Sequence, residues 1–499
     1  MHLITCYNTA NISGVLAMSS FKKHYGLSTM SKSALADWQG WITSILILGS
    51  FGGALISAPF TDRLGRKISL GIWTAIFALS AILMAVNPGG SSGRVQFLVG
   101  RFLSGFGSGA ASVVGTGYIA EIAPKAIRGG LTATYNANTM LSVGLAYWIN
   151  FGSLEHIEAS RNAQWQMPMG VQALPGVILL VGLFFIPESP RWLMSRGRLE
   201  EAQQLLEILR GLPVDHDFVR REYEDIKSGV EQENAVHAGL KGVLSEIMTK
   251  SIRKRLLMVM IIQVGFQFSG AILTSIGLTH PTTNFLFSGI YGCVKFVAVV
   301  VYCLYFIDRF GRRAGLFGGT VLIIGSLIYL TVYLAVAHPS ANSTTGAAGW
   351  IAVVSIYIFA LGYAVSWGTI PWIINAEVFP QKVRSTCMSF CIAWQYLVNF
   401  ALSRAQPNMA IAMHSWGPFL LFACATTVAA IYAYFAYPET KGVSMEHMEE
   451  LFAMSWYKIG RASLGISNAQ NTAQARDVED KLVEADLENK DASVRKENV

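Results

Sequence analysis

Charge is the first thing this sequence lacks. Only 14% of its 499 residues are charged, against roughly 25% in a soluble domain. That is too little polar surface to cover a water-soluble globule, and it excludes a disordered chain and a nucleic-acid-binding module. Cysteine is sparse as well. The six (Cys6, Cys293, Cys303, Cys387, Cys391 and Cys424) lie in or beside apolar stretches and none forms a C-x-x-C pair. That excludes a disulfide scaffold and leaves a metal, redox centre or other cofactor without a site. Paired carboxylates, a nucleophile–base constellation and metal-ligand spacing are all missing, so no enzyme is expected. Met1 to Thr5 has no basic segment, so no cleavable signal peptide is expected. What abounds is apolar: hydrophobic residues are 52% of the chain, the composition of a polytopic protein embedded in a lipid bilayer.

A bilayer-crossing helix needs about 20 mostly apolar residues. Such runs fall near 3–20, 39–59, 69–87, 96–120, 129–150 and 167–186, and then near 256–278, 285–307, 315–336, 348–374, 386–406 and 416–437. The expected fold is an all-α membrane protein of twelve transmembrane helices. It divides into an N-terminal six-helix bundle (1–187), a cytoplasmic loop with short helices (188–255), a C-terminal six-helix bundle (256–437) and a cytoplasmic tail (438–499). The loop holds twelve Lys/Arg and twelve Asp/Glu. Within it, LEEAQQLLEILR (199–210) sets Ala202, Leu205, Leu206 and Leu209 at helical spacing, an amphipathic surface helix. The tail turns polar after Tyr457, and its charge-rich end, 475–499, is expected to be disordered. The net charge of +7 reads as membrane topology rather than as an anionic partner. One set of short loops carries Arg63, Arg66, Lys67, Lys125, Arg128, Arg309, Arg312, Arg313, Lys382 and Arg384, and the opposite set only Lys22, Lys23, Lys32, Arg94 and Arg161. Ten against five puts both termini in the cytoplasm. The sequon Asn342-Ser343-Thr344 then falls outside.

The chain repeats itself at half its length. DRLGRK at 62–67 returns as DRFGRR at 308–313, EIAPKAIRG at 121–129 as EVFPQKVRS at 377–385, and PESPR at 187–191, more weakly, as PETKG at 438–442. Three motifs returning in one order make the two halves copies. Two similar bundles can rock about a site at their interface, exposing it to one side and then the other, so the repeat points to transport. All three motif pairs fall at cytoplasmic helix ends. There Asp62, Arg63, Arg66, Glu121, Arg128 and Glu188 in one half, and Asp308, Arg312, Glu377, Arg384 and Glu439 in the other, can form a gate. They would pair across neighbouring helices when that side closes and part when it opens. Simple positive-inside anchoring is the alternative, but it does not account for acidic–basic motifs duplicated at the half-chain period.

Eight motifs in order carry a family resemblance: DRLGRK, GRFLSGFGSGAAS (100–112), YIAEIAPKAIRG (118–129), PESPRWL (187–193), DRFGRR, SWGTIPW (366–372), AEVFPQKVR (376–384) and PETKG. From about Tyr7 to Gly442 the chain resembles the sugar porter family of the major facilitator superfamily, of fungal type. The resemblance implies the major facilitator fold and a central cavity that hydrogen-bonds a sugar through amide and indole side chains, with an aromatic face against its C–H side. By position, Asn136 in span five matches the family's Gln or Asn, and Gln263 and Gln267 match two of three glutamines in span seven. Trp372 matches the span-ten tryptophan, and Gln395, Tyr396 and Asn399 occupy the family's Asn-Trp-x-x-Asn in span eleven. For each of these, interhelical hydrogen bonding is the alternative. Gly105, Gly107 and Gly109 of span four read as close helix contacts rather than as a dinucleotide fingerprint.

Charge inside a membrane is costly and marks function: Arg101 opens span four and Lys295 lies within span eight. In the family's proton-coupled members an aspartate on span one pairs with the arginine at the position of Arg101. TCYNTANISG (5–14) carries Asn8 there, and an amide cannot cycle a proton near neutral pH. Facilitated diffusion is therefore expected. A symporter with the proton as co-substrate is the alternative, because other carboxylates such as Glu121 remain.

Three departures from the family pattern stand out. Span one begins almost at Met1 without a polar leader, so its first turn is expected to be missing. After QVGFQFSG (263–270) about ten residues of the family pattern are absent before Ile276-Gly277-Leu278, including amide and hydroxyl groups of the sugar site. A mispredicted exon is the first explanation and a degenerate or altered member the second. Thr369 replaces the proline of the span-ten break, which is expected to make that break shallower. The expected function is a plasma-membrane carrier that moves a monosaccharide by alternating access. A non-transporting sensor fits less well, with a tail of only about 57 residues after Gly442. A carrier of another polar solute, such as quinate or a disaccharide, stays open; Arg404, late in span eleven, either meets a carboxylate or snorkels to the outer interface.

Overall fold

The computed structural model describes residues 2–124, 128–236, 245–270, 281–337, 346–380, 383–414, 416–440 and 445–468. The sequon at 342–344, the shortened stretch after Gly270 and the tail from 469 lie outside them. Inside hydrocarbon a backbone must satisfy its own hydrogen bonds, so each apolar run closes into a helix. In chain order these are α1 (His2–Ala17), α2 (Lys32–Leu64), α3 (Arg66–Ala85), α4 (Gly90–Ile122), α5 (Arg128–His156) and α6 (Ala163–Val171, resumed as Ala173–Gly182). The second set is α7 (Lys250–Gly270), α8 (Pro281–Val301), α9 (Ile307–Ala337), α10 (Ala347–Val365, resumed as Ile370–Glu377), α11 (Arg384–Ala412) and α12 (Gly417–Ala436).

Eight helical stretches among the described residues are long and apolar enough to cross a membrane. The four segments that fall short are α1, α5, α7 and α11. The first is short, and the other three are diluted by amide and basic side chains. Polarity is thus concentrated on the helices that carry Asn8, Asn136, Gln263, Gln267, Gln395 and Asn399.

Several boundaries differ from the apolar runs. Helices α2 and α4 each extend to 33 residues, because a helix continues into polar ends that hydropathy does not register. Span one, expected over 3–20, stops at Ala17; Met18 is extended (φ −68°, ψ 132°) and a short helix, Ser19–His24, follows. Helix α10 breaks over residues 366–369 even though Thr369 stands in place of proline. The Thr369 hydroxyl donates to the Ala364 carbonyl at 2.7 Å, and the Gly368 N–H to the Tyr363 carbonyl at 2.8 Å.

Packing reproduces the sequence repeat. In the first half α4 packs on α2 and α3, α1 on α5, and α3 on α6; in the second, α10 packs on α8 and α9, α7 on α11, and α9 on α12. Adding six to each label of the first set gives the second. The halves meet along two seams, α2 against α11 and α5 against α8, which the same rule interconverts. Glycine lets the backbones approach. A Cβ on Gly105 would sit 1.8 Å from the Leu46 carbonyl oxygen, and one on Gly109 would sit 2.3 Å from that of Ser50; the glycines of span four are helix contacts, as expected. At the α5–α8 seam a Cβ on Gly292 would lie 2.5 Å from the Gly144 Cα.

The loop between the halves forms Pro190–Ser195, Leu199–Arg210 and Asp217–Val236, the last longer than expected at 20 residues. Ala202, Leu205 and Leu206 are buried, as their spacing requires. Arg210 pairs with Glu222 at 2.7 Å and donates to the Ile122 carbonyl at 3.1 Å, tying the loop to the end of α4. After α12, helix Met445–Ala453 buries Leu451 and Phe452 against the second half. Lys254 at the start of α7 donates to the Met454 carbonyl at 2.8 Å.

Candidate functional site

The three duplicated motifs meet in one cluster per half. In the first, Arg66 pairs with Glu121 at 2.8 Å and lies 3.8 Å from Asp62. Glu188 accepts from the N–H groups of Arg66 (2.8 Å) and Lys67 (3.1 Å), the first turn of α3. In the second, Arg312 pairs with Glu377 at 3.4 Å. Glu439 accepts from the N–H groups of Arg312 and Arg313, each at 3.0 Å. A helix N-terminus leaves such N–H groups without an intrahelical partner and carries partial positive charge, so each carboxylate caps and neutralises its helix. Gly65 (φ 90°) precedes the start of α3; Gly311 (φ 83°, ψ 171°) is a non-helical break within Ile307–Ala337, after which α9 starts afresh at Arg312. A Cβ on either glycine would lie within 2.6 Å of the capping carboxylate.

Every ion pair in these two clusters joins elements of the same half. Arg63 contributes its carbonyl, which accepts from Arg196 at 2.6 Å, and the Arg384 guanidinium donates to the Phe379 carbonyl at 3.1 Å. The side chains of Arg128 and Asp308 lie outside the description. Replacing Glu188 or Glu439 by glutamine is expected to lower the thermal stability of the purified carrier by about 1–2 kcal/mol, through loss of the charge-assisted caps. Thermal unfolding that matches wild type would show that the caps do not hold the helix starts.

Toward the middle of the helices the arrangement changes. Gln263 and Gln267 of α7 are buried; neither side-chain polar atom of Gln263, nor Nε2 of Gln267, has a hydrogen-bond partner among the described residues. Gln395 of α11 is buried with its Oε1 likewise unpartnered. Between them Phe266 stands 6.3 Å from Trp372 and 6.0 Å from Tyr363, centroid to centroid. Trp372 is half-buried against a cluster that includes Leu46 and Ile47 of α2 and Ile392 and Tyr396 of α11. The Tyr396 hydroxyl lies 3.2 Å from that of Ser112 on α4, across the two halves. Asn399 accepts from Ser403 at 3.1 Å within its own helix, so it is the one predicted polar group of α11 that is locally satisfied. The side chain of Asn136 lies outside the description.

Sequence reasoning missed Asn375. It is buried with neither amide atom partnered among the described residues, and it lies three positions after Trp372, on the same helix face. That spacing was the available signal.

Two intramembrane charges find different surroundings. Arg101 is fully buried and donates to the Asn8 side-chain oxygen at 2.5 Å, the Asn8 carbonyl at 3.1 Å and the Ile42 carbonyl at 3.2 Å. The Asn8 amide nitrogen donates to Ser104. Lys295 is buried in α8 with its ammonium over the rings of Tyr291 and Tyr363. Arg404, for which a solute carboxylate or the interface was expected, instead pairs with Asp37 of α2 and lies over the Trp41 ring at 5.0 Å. This ion pair bridges the halves at the end opposite the motif clusters.

A helical bundle with a buried, polar, aromatic-lined region between duplicated halves is the geometry of a carrier. A family model described as "Sugar (and other) transporter" matches residues 1–452. Relatives include a "Probable quinate permease" of Neosartorya fischeri, 35% identical over 89% of this chain and 84% of that protein, and a "Quinate permease" of Neurospora terricola, 32% identical over 89% and 85%. Among solved structures, the proton:xylose symporter XylE bound to 6-bromo-6-deoxy-D-glucose superposes with a TM-score of 0.77 at 23% identity, covering 90% of this chain and 96% of that one. A partially occluded inward-open form of XylE from E. coli gives 0.74 at 24% identity, over 89% and 97%. The chain belongs to the sugar transporter family of the major facilitator superfamily and works as a membrane carrier by alternating access.

Proposed function

We propose that this carrier moves a monosaccharide or similar polyhydroxylated ring down its gradient across the plasma membrane, with both termini and the motif clusters on the cytoplasmic side. The observation that carries the reading is the set of buried amides of Gln263, Gln267 and Gln395 with unpartnered atoms around Phe266 and Trp372. Unpaired buried polar groups are costly, and a ring of hydroxyls, each donor and acceptor, is the ligand class that pairs with them. Asn8 beside Arg101 supports facilitated diffusion, because an amide holds the guanidinium without a titrating proton.

Uptake of labelled sugar by cells lacking their own hexose carriers is expected to persist after a protonophore collapses the gradient; strict dependence on external acidity would overturn the reading. Asn8→Asp is expected to install a pH dependence. Its ionised carboxylate would pair with Arg101 and hold α1 to α4, so uptake by the variant should fall as pH rises while wild type stays flat. A second reading, quinate as cargo, is favoured by the relatives' names and by the surroundings of Lys295.

A further inference from the structure

Among the described residues Lys295 has no counter-ion, and the sequence itself shows why. Between residues 256 and 437 the chain holds two acidic residues, Asp308 and Glu377. Both belong to the duplicated motifs, Glu377 is committed to Arg312, and Asp308 is 13 residues further along the chain, about 20 Å at helical rise. Before residue 187 the acids are Asp37, Asp62, Glu121, Glu155 and Glu158. Asp37 pairs with Arg404 at the opposite end, Asp62 and Glu121 surround Arg66, and Glu158 pairs with Arg161 on the surface. None sits at mid-membrane. A buried ammonium without a carboxylate is costly.

What the ammonium does have is aromatic. Its Nζ lies 4.3 Å from the Tyr363 ring centroid and 4.6 Å from that of Tyr291. Cation–π contacts of about 2 kcal/mol when desolvated offset part of the cost, and they leave the charge itself uncancelled. The position borders the seam between the halves. Lys295 is one turn beyond Gly292, the backbone contact between the halves. Tyr363 stands beside Phe266, which stands beside Trp372, so the cation and the unpartnered amides border one continuous aromatic region.

We propose that the cargo is a polyhydroxylated ring bearing one carboxylate, and that Lys295 receives that carboxylate; this rests on the carrier reading above. A neutral sugar offers Lys295 only hydroxyl oxygens. An anionic ring supplies the missing charge through a charge-assisted hydrogen bond, about twice as strong as a neutral one, while the glutamines take its hydroxyls. In the empty carrier the tyrosines hold the ammonium in place.

The test uses the full-length carrier in proteoliposomes with labelled quinate and labelled glucose, and thermal stabilisation of the purified protein by each. Quinate is expected to be carried and to stabilise the protein, and the methyl ester of quinate, the same ring without charge, to compete at least tenfold more weakly, a difference of about 1.4 kcal/mol. Lys295→Met should lower quinate uptake at least tenfold while remaining monodisperse on size exclusion, and Lys295→Arg should restore most of it. Competition by the ester equal to that of quinate, or quinate uptake unchanged in Lys295→Met, would overturn the assignment without the mutant's folding entering the first comparison. Glucose carried and quinate not would remove the carboxylate and leave the carrier reading standing. A protein that neither solute stabilises and that moves neither would remove both.

Discussion

Trp372→Ala is expected to cut uptake at least tenfold while leaving the amount of carrier at the membrane unchanged. The indole stands edge-on to Phe266 and spans the seam between α10 and the α2–α11 cluster. On the proposed reading of the site, removing it takes away an aromatic face for the C–H side of the ring, about 0.5–1.5 kcal/mol per contact beyond its buried area, and one wall of the proposed binding region. A tenfold loss corresponds to about 1.4 kcal/mol, so the expected change is within reach of that single side chain. Were Trp372 purely a packing residue, its truncation would cost roughly 3–5 kcal/mol of stability, and surface protein would fall with uptake. Measuring both quantities on the same cells separates the outcomes: loss of surface protein assigns Trp372 to the core and withdraws it from the site. Gln267→Ala should behave in the same way, more mildly, because one amide is lost rather than a wall.

Gly65→Ala and Gly311→Ala are expected to be strongly destabilising. Both glycines have positive φ with ψ near 170° (φ 90°, ψ 167° and φ 83°, ψ 171°), a conformation nearly confined to glycine that costs other residues about 1–3 kcal/mol. The added methyl would also meet the capping carboxylate, at 2.5 Å for Glu188 and 2.6 Å for Glu439. Displacing that carboxylate strips two N–H groups of their acceptor, about 1–3 kcal/mol more for each buried donor. Together these approach a large share of a total stability of about 5–15 kcal/mol. Thermal unfolding of the purified carrier should collapse for both variants. Gly318→Ala, where a Cβ would meet open space, should not change it. Stability of either variant close to wild type would mean that the helix start adjusts and that the duplicated caps are not rigid.

Much of the fold was legible in the sequence because the bilayer imposes a length on every apolar run and because the three duplicated motifs are local strings. The partners of those strings were less legible. Glu188 was expected in a gate, but its seating on the first turn of α3, 122 positions from Arg66, depends on how α6 returns to α3. The same holds for Asp37 and Arg404, separated by 367 positions: a chain-order reading sees an arginine late in one helix and an aspartate early in another, and only the α2–α11 seam brings them together. Within the interior, family position located Gln263, Gln267, Trp372 and Gln395. Asn375 escaped because it lies outside the eight motifs; its spacing of three from Trp372 was the one local signal, and its burial is set by tertiary packing. Lys295 was visible as an intramembrane charge; Tyr291 lies one turn before it on the same helix, while Tyr363 is brought to it from α10 by packing.

The bare backbone crossing of Gly144 and Gly292 has a mechanical consequence. Interlocked side chains act as gear teeth, and turning one helix against another then means unmeshing each tooth in succession. Here the closest approach is main chain on main chain, flanked one turn away by the Trp148 ring against Gly289, so tilting one half over the other disengages no knob at the crossing itself. Resistance to that tilt then falls on the α2–α11 seam, where Asp37 meets Arg404 and Leu46 and Ile47 pack beside Ile392 and Tyr396.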